Sequence, residues 1–198
     1  MLSAIVLAAG DSSRMGRPKA LLQWKGKPFI EHVCEALRRA GVADRVVVLG
    51  GASREILAAW PPAGEKVALN PHPEHGQLSS LRAGLKDVSG SAEGYMVCLA
   101  DQPTVQVETY RRIIAFWEEN RDCIVIPRTL RESDSRLKRG HPIIIPAAHK
   151  RLCLEGPLEK GLHWVTHHPS VKVADLDVKD PEIIRDFDTP EDYAALPR

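Results

Sequence analysis

Ala4-Ile5-Val6-Leu7-Ala8-Ala9-Gly10-Asp11-Ser12-Ser13-Arg14-Met15-Gly16-Arg17-Pro18-Lys19 lies close to the start of the chain. Its first residues, 4–8, are apolar without a break, which suits a strand buried on both faces of a sheet. A loop of small and basic residues follows directly. In an open α/β sheet, ligands sit beyond the carboxyl ends of the strands, where such a loop lies. Gly10 and its small neighbours let backbone N–H groups approach a phosphate chain, and Arg14 and Lys19 add fixed positive charge for the same anion. The loop is neither a Walker A sequence nor the G-x-G-x-x-G dinucleotide fingerprint.

Outward from this loop, short β-branched runs alternate with helical stretches. Strands are expected at 4–8, 45–49, 66–69, 95–100, 123–127 and 142–145, with a weaker one at 171–176. Helices are expected at 29–40, 53–60 with Ser53 as N-cap, 79–86 and 107–120. A last helix begins near Pro190, where Thr189 and Asp192 suit a capping box. Such alternation implies an α/β fold of three layers, a mainly parallel sheet with helices on both faces. The chain has 198 residues and no internal repeat or linker, so a single domain over 1–198 is expected. Pro61-Pro62-Ala63-Gly64 reads as a surface turn.

Lys and Arg number 27 against 26 Asp and Glu, a net charge of +1. No global field draws the chain to nucleic acid or membrane, so neither is expected as a partner, and any anion affinity is local. The N-terminal apolar run lacks a basic flank and ends at Gly10-Asp11, too early for a signal peptide or membrane span. A cytoplasmic location is therefore expected. Cys34, Cys98, Cys123 and Cys153 are too scattered for a zinc knuckle or redox pair and read as buried free thiols. Residues 128–140 carry Arg128, Arg131, Arg136, Lys138 and Arg139 against Glu132 and Asp134, with no strand or helix period. A solvated loop and a mobile basic lid over an anionic substrate both fit that composition.

The order of residues 7–19 resembles the signature of the MobA-like nucleotidyltransferases, L-A-[AG]-G-x-S-x-R-M-G-x-x-K, and continues into Ala20-Leu21-Leu22 and Gly26-Lys27-Pro28. Further along, Asn70-Pro71 and residues 76–85 are similar to that family's base-recognition turn and helix. Leu99-Ala100-Asp101-Gln102-Pro103 is similar to its metal-binding strand end, and Gly140-His141-Pro142 and residues 186–192 to its later motifs. The resemblance implies a Rossmann-like nucleotidyltransferase fold. It implies that Leu7, Ala8, Ala9 and Gly10 line a nucleotide, with Asn70, Ser79 and Ser80 near the base, and that Arg14 and Lys19 hold the triphosphate. The set is most similar to the branch typified by molybdenum cofactor cytidylyltransferase. It departs at residues 154–161, where that branch usually carries Gly-Asp-x-Gly-x-Arg.

The residues themselves bear on the chemistry. Asp101 ends a buried strand, where a carboxylate is costly unless paired or metal-bound, although an Asp also suits the turn before Pro103. Mg²⁺ takes one or two carboxylates plus substrate phosphates. Asp101 and, leaning on the family, Asp188 are the expected pair, with Asp186 two residues back on the same face if the segment is a strand. Ser79 suits an N-cap as well as a base contact. His141 suits a turn or a contact to the acceptor, grouped with Arg136, Lys138 and Arg139. His163, His167 and His168 read as surface residues. Lys19, Arg14 and Asp101 are the expected catalytic groups.

A phosphate monoester is already a dianion near neutrality, so it can attack an NTP without a general base. Positioning and charge neutralisation then supply the catalysis. The function expected is Mg²⁺-dependent transfer of CMP from CTP to molybdopterin. GTP as donor, a sugar-phosphate acceptor, or a non-catalytic cofactor carrier stand as alternatives, and a molybdoenzyme or its chaperone as a further partner.

Overall fold

The computed structural model describes residues 1–10, 16–131 and 133–196. Among them the order is β1 (Leu2–Ala8), β2 (Gln23–Trp24), β3 (Lys27–Pro28), α1 (Phe29–Arg39), β4 (Asp44–Leu49), α2 (Ser53–Ala59) and β5 (Lys66–Leu69). There follow α3 (Gln77–Gly84), β6 (Gly94–Leu99), α4 (Val107–Glu119), β7 (Cys123–Arg131), β8 (Arg136–Arg139) and β9 (Ile143–Pro146). The chain ends with α5 (Lys150–Glu155), α6 (Gly161–Thr166), β10 (Lys172–Asp177) and α7 (Pro190–Ala194). No described helix is long and apolar enough to cross a membrane.

The main sheet runs β10-β7-β9-β6-β1-β4-β5, with β8 paired to β7. β1 lies parallel between β4 and β6, and β9 runs antiparallel to both β6 and β7. Side chains alternate along a strand, so β1 feeds two cores. Ala4 and Val6 pack on one face with Val33 and Leu37 of α1 and Ile113 and Trp117 of α4. Ile5 and Leu7 pack on the other with Leu78 and Leu81 of α3, Cys153 of α5 and Val165 of α6. This is the expected three-layer α/β arrangement. A smaller core of Leu22, Phe29, Phe187 and Leu196 ties the β2–β3 hairpin to the C-terminal segment.

Several local expectations need correction. α2 is not capped by Ser53: Ala52 is the N-cap, because its carbonyl already accepts the N–H of Ile56 at 3.0 Å. α3 starts two residues earlier than expected, at Gln77, because Gly76 takes φ +82°, a conformation open to glycine that turns the chain into the helix. Ser79 is therefore inside the helix and not its cap. The Thr189–Asp192 capping box forms as expected. Cys34, Cys98 and Cys153 are buried, whereas Cys123 is partly exposed.

Residues 128–131 and 136–139 are strands and not irregular loop. They form the outer part of an antiparallel hairpin in which Arg128 faces Arg139 and Leu130 faces Leu137. Its cations meet carboxylates of β10: Arg139 Nε donates to Asp175 at 2.7 Å, and Arg128 pairs with both Asp175 and Asp177. Arg131 pairs with Asp134. Arg128 and Arg139 are thus answered across the sheet, and Arg131 within the hairpin.

Gly84 fixes how closely α3 lies on the sheet. A Cβ there would come within 2.5 Å of Ile5 Cγ2 and 2.9 Å of Val48 Cγ2, both branched core atoms with no room to retreat. Gly84→Ala should destabilise the protein by about 1–3 kcal/mol, the usual cost of overpacking. A thermal melt showing an unchanged or raised Tm would contradict this account of the α3 seat.

Candidate functional site

Lys19 follows Pro18 and opens a 3-10 turn, with the N–H of Leu21 on Pro18 O at 2.9 Å. The turn aims the side chain over the carboxyl ends of β1 and β6. There Lys19 Nζ donates to Asp101 Oδ2 at 3.3 Å and to Asp188 Oδ1. Asp101 leaves β6 directly. Asp186 and Asp188 arrive from the far end of the chain on either side of Phe187, whose ring is fully buried against Phe29 at 5.4 Å between centroids. The segment is not a strand, so the shared face expected of Asp186 and Asp188 comes from the anchoring of Phe187.

The same segment is tied down behind the site. Gln102 Nε2 donates to Asp186 Oδ1 at 3.0 Å and to Ile183 O at 3.3 Å. Buried Asp180 accepts from the backbone N–H of Gln106 at 3.0 Å and from Thr109 Oγ1 at 2.6 Å. Thr104 donates to Glu182. The loop after β6 and the C-terminal segment therefore form one unit.

Burial raises the pKa of Asp101, the nearby Asp186 charge adds to the rise, and the Lys19 ammonium opposes it. Burial works against the Lys19 ammonium, but the Asp188 and Asp101 carboxylates outweigh it and hold the Lys19 pKa above the usual lysine value. Two carboxylates within hydrogen-bond reach of one nitrogen also form a hard oxygen donor pair. That donor set fits a divalent cation that draws its other ligands from substrate phosphates. Among the described residues no cluster of three or more potential protein ligands exists, so a protein cage is not on offer.

These groups stand at one end of a cleft of about 920 Å³. Leu7, Ala8, Ala9, Gly10, Lys19, Ser80, Asp101 and Asp188, all named from the sequence, line it. Arg17, Glu55, Glu74, Gln77 and Asp186 also line it. Arg17 Nη2 donates to Leu21 O at 2.7 Å and so braces the Lys19 turn. Of these additional residues, Gln77, within the helix start at 76–85, and Asp186 carried a sequence signal. The cleft has two characters: Lys19, Asp101, Asp186 and Asp188 gather near β6, while Gly50, Gly51, Ala52 and Ile56 near β4 bring no cation.

Arg14 lies outside the described residues. Three other groups of expected residues do not line the cleft. Asn70 and Ser79 stand behind Ser80 and do not line the cleft. Arg136, Lys138 and Arg139 are on the exposed hairpin strand and also do not line it. His141 packs under Ile183, its N–H donating to Ile183 O at 2.9 Å, with Nε2 sealed from solvent and without a partner among the described residues. It is a packed ring and not a cleft group. His163 and His167 are exposed and stack on each other at 3.7 Å.

A model of the MobA-like NTP transferase domain matches residues 4–171. A probable molybdenum cofactor guanylyltransferase of Nostoc sp. is 31% identical over 208 residues, covering 98% of this chain and 90% of that one. Nicotine blue oxidoreductase of Paenarthrobacter nicotinovorans is 31% identical over 148 residues, covering 74% of this chain and 71% of its own. In three dimensions the chain is similar to Rv0371c of Mycobacterium tuberculosis in its complex with manganese, with a TM-score of 0.79 and 28% identity over 98% of this chain and 96% of that one.

Burial lowers the pKa of His141 from 6.5 to about 4. Its neutral form is the one the fold accepts. The stability it protects is complete above the unfolded pKa of about 6.5 and declines as pH falls towards about 4, on the order of 1 kcal/mol per pH unit. Urea unfolding of wild-type and His141→Leu protein at pH 7 and pH 5 measures this. The wild type should lose more stability between the two, and equal losses would show that His141 is protonated in the fold.

Proposed function

From the premise that this chain belongs to the MobA-like NTP transferase family and is a nucleotidyltransferase, we propose that it transfers a nucleoside monophosphate from an NTP to molybdopterin. The observation that carries this reading is Lys19 between Asp101 and Asp188 at the charged end of the cleft. For the donor, the loop with Ala9 supports CTP, as its sequence resemblance implies. A second reading, GTP, is supported by relatives of Nostoc sp. and Trichormus variabilis, both named probable molybdenum cofactor guanylyltransferases and both 31% identical to this chain.

In this reaction a phosphate oxygen of the acceptor bonds to the α-phosphorus of the NTP. The bond from that phosphorus to the bridging oxygen breaks, and pyrophosphate leaves with the electron pair. No proton has to be removed from a dianionic phosphate, so the chain needs no general base. Its task is to hold two anions together. Lys19 offsets negative charge on the phosphates, and the small residues Ala8, Ala9 and Gly10 let the chain of phosphates lie close to the backbone. Asp101 and Asp188 would hold the divalent cation, Mg²⁺ in this reading, which supplies charge neutralisation to the triphosphate. Gln102 and Phe187 keep the C-terminal carboxylates in place without touching substrate.

Incubation with Mg²⁺, molybdopterin and either CTP or GTP, followed by identification of the dinucleotide and pyrophosphate, tests the reaction and separates the two donors. Product from neither nucleotide would remove the molybdopterin reading. Lys19→Ala should lower kcat/KM by roughly 10²-fold or more with an unchanged Tm, the usual cost of one preorganised charge. Asp101→Asn should cost more activity than Asp186→Asn, because Asp101 meets Lys19 directly whereas Asp186 is held by Gln102. Equal losses in steady-state assays of the two variants would overturn that ranking.

A further inference from the structure

Two tasks meet on the same atoms at the charged end of the cleft. Lys19 Nζ donates to Asp101 Oδ2 at 3.3 Å and to Asp188 Oδ1, so the ammonium stands between the two carboxylates. Those carboxylates are also the oxygen pair that fits a divalent cation. An ammonium and a metal ion seek the same oxygens, and at such range they repel each other. The Lys19 and Asp101 side chains are only 20% and 25% exposed, so salt and water screen that contest little. The backbone around Lys19 is held: the N–H of Leu21 donates to Pro18 O at 2.9 Å, and Arg17 Nη2 donates to Leu21 O at 2.7 Å. What a lysine can move is its flexible stem, which carries the ammonium from one anion to another with the turn unchanged.

We propose that Lys19 is a latch that closes the carboxylate pair to a free divalent cation and makes the chain take its donor as the metal–NTP complex. This inference rests on the nucleotidyltransferase reading above. For a cation arriving alone, Lys19 would have to give up both oxygens and keep its own charge beside the newcomer. A metal–NTP complex supplies phosphate oxygens to which Lys19 turns, and Asp101 and Asp188 are then released to the cation. Lys19 thus has two successive partners, the carboxylates and then the phosphates. The exchange between them ties acceptance of the cation to arrival of the nucleotide.

Mn²⁺ alone, with no nucleotide, is the probe, and electron paramagnetic resonance counts its free form. Lys19→Ala should bind Mn²⁺ about tenfold more tightly than wild type, the scale of one charge-assisted contact that no longer competes. The gap should persist in about 0.5 M KCl, because a partly buried contact is screened far less than an exposed field. Adding Asp188→Asn to Lys19→Ala should cancel the gain, since the tightened ion sits on that carboxylate pair. In calorimetric titrations with CTP or GTP in the presence of Mg²⁺ the order reverses, and Lys19→Ala should bind the nucleotide more weakly than wild type.

A Lys19→Ala protein whose Mn²⁺ affinity equals or falls below that of wild type overturns the proposal, as does one that binds nucleotide as tightly as wild type. So does a gap that vanishes in high salt, which marks a long-range field and no latch. A gain that survives Asp188→Asn places the ion elsewhere and overturns it too. If Lys19→Ala does not fold, Lys19→Met, which keeps the stem and loses the charge, decides on the same readouts. Wild-type protein that binds neither CTP nor GTP removes the transferase reading and this inference with it. Wild-type nucleotide binding with an unchanged Mn²⁺ affinity in Lys19→Ala removes this inference alone.

Discussion

Lys19 meets Asp101 across 82 positions of chain and Asp188 across 169, so one ammonium joins the loop after β1, the end of β6 and the C-terminal segment. Three negative groups, Asp101, Asp186 and Asp188, line the same cleft and repel one another. Such a cluster holds its shape only where a cation answers it and the chain behind it is anchored. The anchors here are apolar and polar by turns. Phe187 fills a small core with Phe29 and Leu22, Gln102 grips Asp186, and Asp180 gathers donors from the start of α4. None of these contacts needs a substrate, so the charged end is built before anything binds.

The position of the cleft follows from the sheet. β1 lies between β4 and β6, and its two faces are consumed by two helical layers, which leaves its carboxyl end as the open place. One side of that opening inherits the carboxylates after β6. The other inherits the glycine turn after β4 and the helix that Gly76 starts. The basic hairpin of β7 and β8 answers to a different constraint. Arg128 and Arg139 pair with Asp175 and Asp177 across the sheet, so these two of the segment's cations are engaged within the fold.

Periodicity and composition by themselves determined the strand–helix alternation, the buried first strand and the loop from Leu7 to Lys19. Those features are local: an apolar run, a glycine and a cation at short spacing carry their meaning without knowing what lies nearby. The Thr189–Asp192 capping box was legible for the same reason. The edges of elements were less so, because Ala52 and Gly76 act through backbone conformation, which a side-chain pattern does not record.

Only the tertiary structure decided which charges face one another. Arg128 and Arg139 read as free in sequence because Asp175 and Asp177 lie far along the chain, and the strand register brings them together. The bracing roles of Arg17 and Gln102 carried no signal, since a guanidinium on a carbonyl and an amide on a remote carboxylate are defined by contact in space. Asn70, Ser79 and Ser80 were legible as a group. Their division into two supporting residues and one that lines the cleft was not, because hydrogen-bond polarity is set by partners in space and residue type leaves it open.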